Sequence, residues 1–314
     1  MRRFVFPVGF TRRGGRAASG AASLLALAGS VLEAQRVPGR DLFEFPIGAM
    51  AEPPALAQQS GVAFWNPAAA AVPPGQRVRL GIAALATPAD QSVSAQLVGV
   101  AVQLPNFVTA ALSVARAGVG DLVRTESDPQ SLGTLNYSSS IYSAIVARRS
   151  PAHVVSGLAV RYRTGELDGL RRGAVGLDGG VLVDSLLGRR DVRLAASSFL
   201  WRPANQADER ATMSLAADAR LGGDGAQRET RAGYGFSLTE GGAREHYGVG
   251  TARYGPWVGR VGLARATTFS ESNWRLRLGV GVYYARYVVG VARESGGEAG
   301  LPAIYQFSLS SSIK

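Results

Sequence analysis

The sequence of 314 residues contains no cysteine and only two histidines, His153 and His246. The absence of cysteine excludes a disulfide framework, a thiolate metal site and a cysteine nucleophile. Two histidines are too few for a convincing metal cluster, and neither shows a sequence pairing with serine or aspartate that indicates a catalytic base. We therefore expect no metal, no cofactor and no enzymatic activity.

Charged residues are also scarce, at 18% of the chain, and the formal net charge is +11. Nearly all the positive charge is arginine, since Lys314 is the only lysine. A net positive charge alone is compatible with nucleic-acid binding, but these arginines are spread along the chain instead of clustering on one helix or patch. We expect no nucleic-acid partner.

Long apolar runs are confined to the N-terminus. Residues 1–34 begin with a basic stretch, Arg2 to Arg16, continue with the Ala/Leu-rich stretch Ala17–Leu32 and end at the small residue Ala34. This order predicts a signal peptide. No other segment is long and apolar enough for a membrane helix, so the sequence predicts export without a helical anchor.

The main pattern present is alternation between two kinds of residue. From residue 273 to 285 one parity is apolar, with Trp274 and Tyr284 at its ends, and the other parity is small or cationic. Side chains alternate across a strand, so the two sets occupy opposite faces. The two aromatics lie about 33 Å apart along a strand, and a tilt of about 40° reduces this to roughly 25 Å, the height of a barrel's apolar band. One face is therefore predicted to contact hydrocarbon and the other to line an interior.

The alternation recurs through residues 76–314 and predicts an all-β fold: a transmembrane antiparallel β-barrel of about fourteen strands. The predicted strand cores are 77–86, 92–104, 107–117, 134–148, 153–164, 173–184, 190–201, 209–221, 227–239, 244–254, 257–267, 273–285, 287–294 and 303–313. Residues 35–75 are rich in Pro and Ala and are predicted to form an N-terminal plug or hatch. Both termini are predicted on the side of the short turns, with longer connections at 118–133 and 165–172 on the other side.

Several arginines share the parity of the predicted interior face. These candidate lumen-lining residues are Arg77, Arg79, Arg161, Arg163, Arg231, Arg275 and Arg277. Guanidinium groups bind anions and carboxylates bidentately, which is one hypothesis for their role. The favoured interpretation is a solvated wall whose charge is balanced by Asp178, Asp191, Asp218 and Glu229. His246 shares the parity of Gly248 and is predicted to face the interior as well.

Five short stretches resemble one known family. Phe64, Trp65, Asn66 and Pro67, within the stretch Ala63–Ala68, resemble the "WNPA" signature of the FadL/PorV superfamily of fourteen-stranded outer-membrane proteins. The stretches 176–182 and 192–197 are similar to the central hairpin of that family. The stretches 283–287 and 304–309 are similar to its final strands, especially in the PorV/PorQ branch. The resemblance covers about residues 45–314.

The resemblance implies a multi-pass barrel in the bacterial outer membrane with an N-terminal segment in its interior. FadL-type members pass hydrophobic molecules, whereas PorV-type members serve type IX secretion and bind exported proteins. We expect uptake of hydrophobic solutes, with the secretion role as the alternative. Expected partners are outer-membrane lipid, the barrel-assembly machinery, and either hydrophobic small molecules or exported proteins. Phe64–Pro67 are predicted to anchor the plug by packing, in preference to direct contact with a substrate.

Overall fold

The structure, a computed structural model, describes residues 37–44, 46–49, 51–58, 63–88, 92–123, 133–184, 191–202, 209–224, 227–268, 271–295 and 303–314. The predicted signal peptide, residues 1–34, lies outside the described residues.

The described strands form one closed antiparallel barrel of fourteen, which confirms the predicted fold class. Each strand pairs with its neighbours in the chain, and β1 pairs with β14 to close the ring. The strands are β1 Val78–Ala86, β2 Val93–Gln103, β3 Val108–Val123, β4 Thr134–Arg149, β5 Val154–Leu167, β6 Leu170–Val183, β7 Val192–Phe199, β8 Thr212–Gly222, β9 Arg228–Thr239, β10 Arg244–Tyr254, β11 Trp257–Thr268, β12 Glu271–Tyr284, β13 Tyr287–Ser295 and β14 Ala303–Ile313.

Burial alternates along the strands as the sequence pattern predicts. In β12 the side chains of Trp274, Leu278 and Tyr284 are 57%, 45% and 75% exposed, whereas Arg277 is only 3% exposed. The apolar parity therefore faces outward and the small or cationic parity faces inward. We call the end at which β1 begins and β14 ends the lower end of the barrel, and the opposite end the upper end.

Outward aromatic side chains concentrate near both ends. Trp274 and Tyr305 lie towards the upper end, Tyr254 and Trp257 lie towards the lower end, and all four are at least 48% exposed. Aliphatic side chains occupy the outward positions between them. Aromatic girdles on either side of an apolar band are typical of barrels that span a membrane.

The connection between β5 and β6 is shorter than predicted. Only Asp168 and Gly169 separate the two strands, so the expected longer connection at 165–172 is wrong. Both residues have positive φ, 50° and 77°. An Asp-Gly pair with two positive φ angles matches the right-handed twist of a hairpin, which allows the strands to continue to this turn. The predicted connection at 118–133 likewise shrinks to 124–133, because β3 extends to Val123.

The ladder between β6 and β7 is short. It carries four residue pairs, from Gly180 to Val183 on β6, and then a single isolated bridge between Leu177 and Trp201. Leu200, directly after the end of β7, has a φ of 57°, a left-handed conformation that a leucine rarely adopts. Side chains replace part of the missing ladder, since Gly179 donates its N–H to Ser198 Oγ at 2.8 Å. We call this junction the β6–β7 seam.

The described residues between 37 and 75 form what we call the interior segment. It contains three short 3-10 helices, Asp41–Phe43, Pro54–Leu56 and Pro67–Ala70. Its buried residues cluster with inward side chains of the strands, such as Ala115, Ile141 and Ile145. The segment therefore packs against the inner face of the wall. Within the described part of the chain, no helix is long and apolar enough to cross a bilayer.

Candidate functional site

Phe64 belongs to the interior segment and is almost completely buried. Its ring packs edge-on against Trp65 and Phe199, with centroids 5.1 Å and 5.3 Å away. Phe43 completes the group at 6.0 Å. Edge-to-face packing at these distances adds to the hydrophobic gain of burial. This aromatic cluster joins the interior segment to β7, the strand on one side of the seam.

Trp65 and Asn66 hold the interior segment in shape through their polar atoms. Trp65 donates its indole Nε1–H to the Ile47 carbonyl at 2.8 Å. The Asn66 side chain donates to the Ala55 carbonyl at 2.8 Å and accepts from the Ala68 N–H at 3.0 Å. Asn66 thereby caps the 3-10 helix that starts at Pro67. These bonds tie three separate stretches of the interior segment into one unit.

The backbone around Asn66 and Pro67 touches the barrel wall at two glycines. A Cβ atom added to Gly180 of β6 would lie 2.0 Å from Asn66 Oδ1, and one added to Gly157 of β5 would lie 2.4 Å from the Ala68 nitrogen. Any larger residue at these positions would displace the segment. These inward glycines serve close approach of two backbones, a use of strand glycine that the sequence pattern does not reveal.

Two of the predicted lumen arginines bind the backbone of the interior segment. Arg161 forms a fully buried ion pair with Asp178 and donates to the Phe64 carbonyl. Arg163 pairs with Glu209 at 2.6 Å and donates to the Pro38 and Val37 carbonyls at 2.6 Å and 2.8 Å. Each guanidinium therefore bridges a carboxylate and the segment, so both are occupied by structural contacts.

The remaining arginines of β1 and β9 differ in position. Arg79 is buried and donates to the Ala69 carbonyl of the interior segment. Arg77 precedes β1 at the lower end, where its side chain is exposed. Arg231 pairs with Asp218 and Glu229, both at 2.7 Å. Asp191, which was expected to balance charge by its carboxylate, instead accepts from Arg231 through its backbone carbonyl.

Arg275 and Arg277 belong to a network of four charges on β10, β12 and β13. Each arginine pairs with both Glu245 and Glu294. The Arg277–Glu245 distance is 3.0 Å and the Arg275–Glu294 distance is 3.2 Å. The network is neutral overall. Neither glutamate was identified from the sequence, because partners on different strands leave no local signal, although each shares the inward parity of its strand.

A cavity of about 170 Å³ lies between the interior segment and the wall at the upper end. One side is aromatic and apolar, with Phe43, Trp65 and Phe199. The other side is polar and includes hydroxyl groups of β8 and β9 and the network of Arg275. Arg40 also lines it, where burial lowers the pKa of the guanidinium and the charge of Glu209 partly opposes that shift. The lining suits an apolar body with a small polar end.

A groove of about 1060 Å³ lies on the outer face around the seam. Its lining is almost entirely apolar and includes Leu158, Val160, Leu177 and Met213. Trp201, 43% exposed, closes one side of it. The outer groove and the upper cavity lie on opposite faces of β7, because Ser198 lines the groove and the next residue, Phe199, lines the cavity.

His246 faces outward, so the prediction that it faces the interior is wrong. It is exposed and hydrogen-bonds through Nδ1 to the Tyr234 hydroxyl. The neighbouring Tyr247 is the inward residue of β10, because its long side chain reaches the Ala51 carbonyl at 2.5 Å. The small residues Gly248 and Gly250 made the two faces of β10 hard to distinguish. No group of three or more potential metal ligands occurs among the residues that the structure describes.

Comparison with known proteins supports the fold. No family model matches the sequence, and no curated protein matches it. Among solved structures, the toluene transporter TbuX of Ralstonia pickettii matches with a TM-score of 0.54 at 10% identity, over 85% of this chain and 99% of that one.

Two further structures agree. A TodX monoaromatic hydrocarbon channel variant gives a TM-score of 0.56 at 10% identity, over 82% of this chain and 98% of that one. A FadL homologue of Pseudomonas aeruginosa gives 0.55 at 12% identity, over 85% and 96%. At these identities the likeness establishes only that this chain shares the barrel fold of these three proteins.

Proposed function

We propose that this protein lies in the bacterial outer membrane and passes small hydrophobic molecules across it without catalysis. The fold is shared with a toluene transporter and a monoaromatic hydrocarbon channel. The outward apolar band with aromatic girdles fits contact with outer-membrane lipid. Insertion by the barrel-assembly machinery follows from the same location.

The observation that supports the proposal most directly is that Ser198 and Phe199 face opposite sides of the barrel wall. These consecutive residues of β7 line the outer apolar groove and the inner cavity respectively. A solute in the cavity is therefore separated from the groove by one strand, and that strand has the short ladder of the seam. We propose that solutes leave the interior sideways at this point and enter the bilayer.

The interior segment favours this route over a straight water-filled pore. Its carbonyls are held by Arg79, Arg161 and Arg163, and its side chains pack against the buried wall. Because these contacts hold the interior segment against the inner wall, we expect the segment to limit the passage of ions and sugars. An apolar solute that leaves at the seam does not need to displace the segment.

The proposal can be tested by uptake in cells that have a lipopolysaccharide outer membrane and lack their own hydrocarbon channels. Wild-type protein should raise the initial uptake rate of a radiolabelled monoaromatic hydrocarbon and leave that of a disaccharide unchanged. Ser214→Phe places a ring in the cavity and should abolish the gain. Leu215→Phe, on the outer face of the same strand, should retain it.

Equal hydrocarbon uptake with and without the protein would contradict the proposal, as would full uptake by Ser214→Phe. If the purified protein instead retained an exported protein as a stable partner and gave no uptake, the alternative role in type IX secretion would be favoured.

A further inference from the structure

We propose that the outer surface of β10–β14 towards the upper end binds the phosphate groups of an anionic glycolipid in the outer leaflet. This inference rests on the proposed outer-membrane location and concerns a surface separate from the cavity and the seam. The surface, which we call the arginine–aromatic patch, consists of His246, Arg265, Trp274, Arg293 and Tyr305.

The patch consists of two groups of side chains that are neighbours in the sheet. His246 of β10 pairs with Arg265 of β11, which pairs with Trp274 of β12. Arg293 of β13 pairs with Tyr305 of β14 on one side and with Leu278 of β12 on the other, so this second group begins four residues below Trp274. Paired residues project on the same face, about 5 Å apart, so each group is compact.

Each arginine is placed over an aromatic ring. The Arg265 guanidinium lies 5.6 Å from the centre of the Trp274 ring, and that of Arg293 lies 5.9 Å from the Tyr305 ring. Trp274 and Tyr305 are 57% and 48% exposed, so the rings are accessible from outside. Stacking orients the guanidinium plane while leaving N–H donors available to an anion. Arg265 is further fixed by donation from Nε to Ser272 Oγ at 2.7 Å.

No carboxylate balances these two arginines within the described part of the chain. The described acidic side chains on β9–β14 are Glu229, Glu245 and Glu294, and each forms an ion pair with an inward arginine. On this side of the barrel the inward charged residues therefore form ion pairs, whereas these two outward arginines have no acidic partner among the described residues. An outward cation in this setting attracts an anion from the surroundings.

The height of the patch points to a lipid head group. Below these groups the outward positions are apolar, including Leu276 on β12, Val291 on β13 and Phe307 on β14. Trp and Tyr are enriched at the level of the head groups, where one end of the ring meets hydrocarbon and the other meets water. Arg265 lies at the level of Trp274, whereas Arg293 begins lower, beside Leu278, from where a long arginine side chain can extend to the interface. A guanidinium at the interface forms bidentate, charge-assisted bonds with lipid phosphates.

The test is native mass spectrometry of the detergent-purified full chain with bisphosphorylated lipid A as the probe. We expect retained lipid on the wild type and about 25-fold weaker binding by Arg265→Gln/Arg293→Gln, since each surface arginine contributes roughly fivefold to anionic-lipid binding. Lipid A with both phosphates removed should bind no better to the wild type than to the double variant.

The matched control is Arg116→Gln, which removes an exposed outward arginine on β3, four strands from the nearer patch arginine. It should bind the probe as the wild type does. Folding of every variant is verified by the heat-dependent shift of barrel proteins on gels.

Three results would overturn the inference: equal binding by the double variant, equal loss in Arg116→Gln, or equal binding of the dephosphorylated lipid. A dimer that the double variant abolishes would assign the patch to a second copy of the chain instead. Hydrocarbon uptake measured on the same variants separates this inference from the proposed function, because loss of lipid binding with normal uptake leaves the latter intact.

Discussion

Arg161 and Asp178 form an ion pair in which both side chains are fully shielded from solvent. Asp178 also accepts the backbone N–H of Trp201 at 3.3 Å, and Arg161 donates to the Phe64 carbonyl. One pair thus connects the seam to the interior segment. Charges buried this deeply are tolerated only when each keeps its partner.

Removing one member should therefore be costly. Asp178→Asn leaves a buried guanidinium without its counter-charge and should lower the free energy of unfolding by about 3–5 kcal/mol. Asp184→Asn is the control, because its pair with Arg149 is partly exposed and should be worth about 0–1 kcal/mol. Urea unfolding in detergent measures both. Equal stability of the two variants would show that the buried pair is not a critical contact.

A second prediction concerns the glycine contact between the wall and the interior segment. Gly180→Ala places a methyl group against Asn66 Oδ1 and should displace the segment, at a cost of about 1–3 kcal/mol. Gly179→Ala, one residue away on the outer face, meets no atom closer than 4.0 Å and should be silent. The readout is the denaturation midpoint together with protease cleavage of the segment. An unchanged midpoint and cleavage pattern in Gly180→Ala would mean that the segment does not contact the wall at this glycine.

The strand pattern was predictable because period-two alternation is local and recurs on every strand. β12 shows this most clearly, with Trp274 and Leu278 outside and Arg277 inside. The two-residue turn at Asp168–Gly169 was missed because the strands beside it are polar near the upper end, where the alternation of apolar residues fades. Strand register beyond the apolar band is therefore set by turn geometry more than by hydrophobic pattern.

The site was less predictable than the fold. Inward arginines were identified by parity, but their partners Glu209, Glu245 and Glu294 lie on distant parts of the chain and became visible only in three dimensions. The seam left no sequence signal either, since Leu200 looks like an ordinary strand residue. The ion pairs depend on contacts between distant parts of the chain, and the seam depends on one unusual φ angle. Neither leaves a local sequence pattern.

A third prediction tests the aromatic anchor of the interior segment. Trp65→Ala removes the bond to the Ile47 carbonyl and the contacts with Phe64 and Phe199, so the segment should loosen. Single-channel conductance in planar bilayers should rise. Trp257→Ala, on the outer face at the lower end, is the control and should leave conductance unchanged. Unchanged conductance in Trp65→Ala would argue that this residue does not hold the segment in place.

A fourth prediction tests the orientation of the outer face. Leu278→Arg puts a charge in the middle of the apolar band and should cost about 2–4 kcal/mol of stability in lipid. Leu221→Arg, at the exposed lower end of β8, should cost about 0–1 kcal/mol. Unfolding from lipid vesicles gives both values. Wild-type stability of Leu278→Arg would mean that this face does not contact hydrocarbon.

The sideways exit at the seam is tested most directly by locking it. The chain has no native cysteine, so in Leu177→Cys/Trp201→Cys the only two cysteines face each other at the isolated bridge of the seam. Directly paired residues of neighbouring strands lie within disulfide reach. The control lock is Leu263→Cys/Leu276→Cys, an outward pair on the regular ladder of β11 and β12, outside the groove.

Hydrocarbon uptake is then measured before and after reduction. We predict that oxidation of the seam pair stops uptake, that a reductant restores it, and that the control lock has no effect. Full uptake through the oxidised seam would contradict the proposed route.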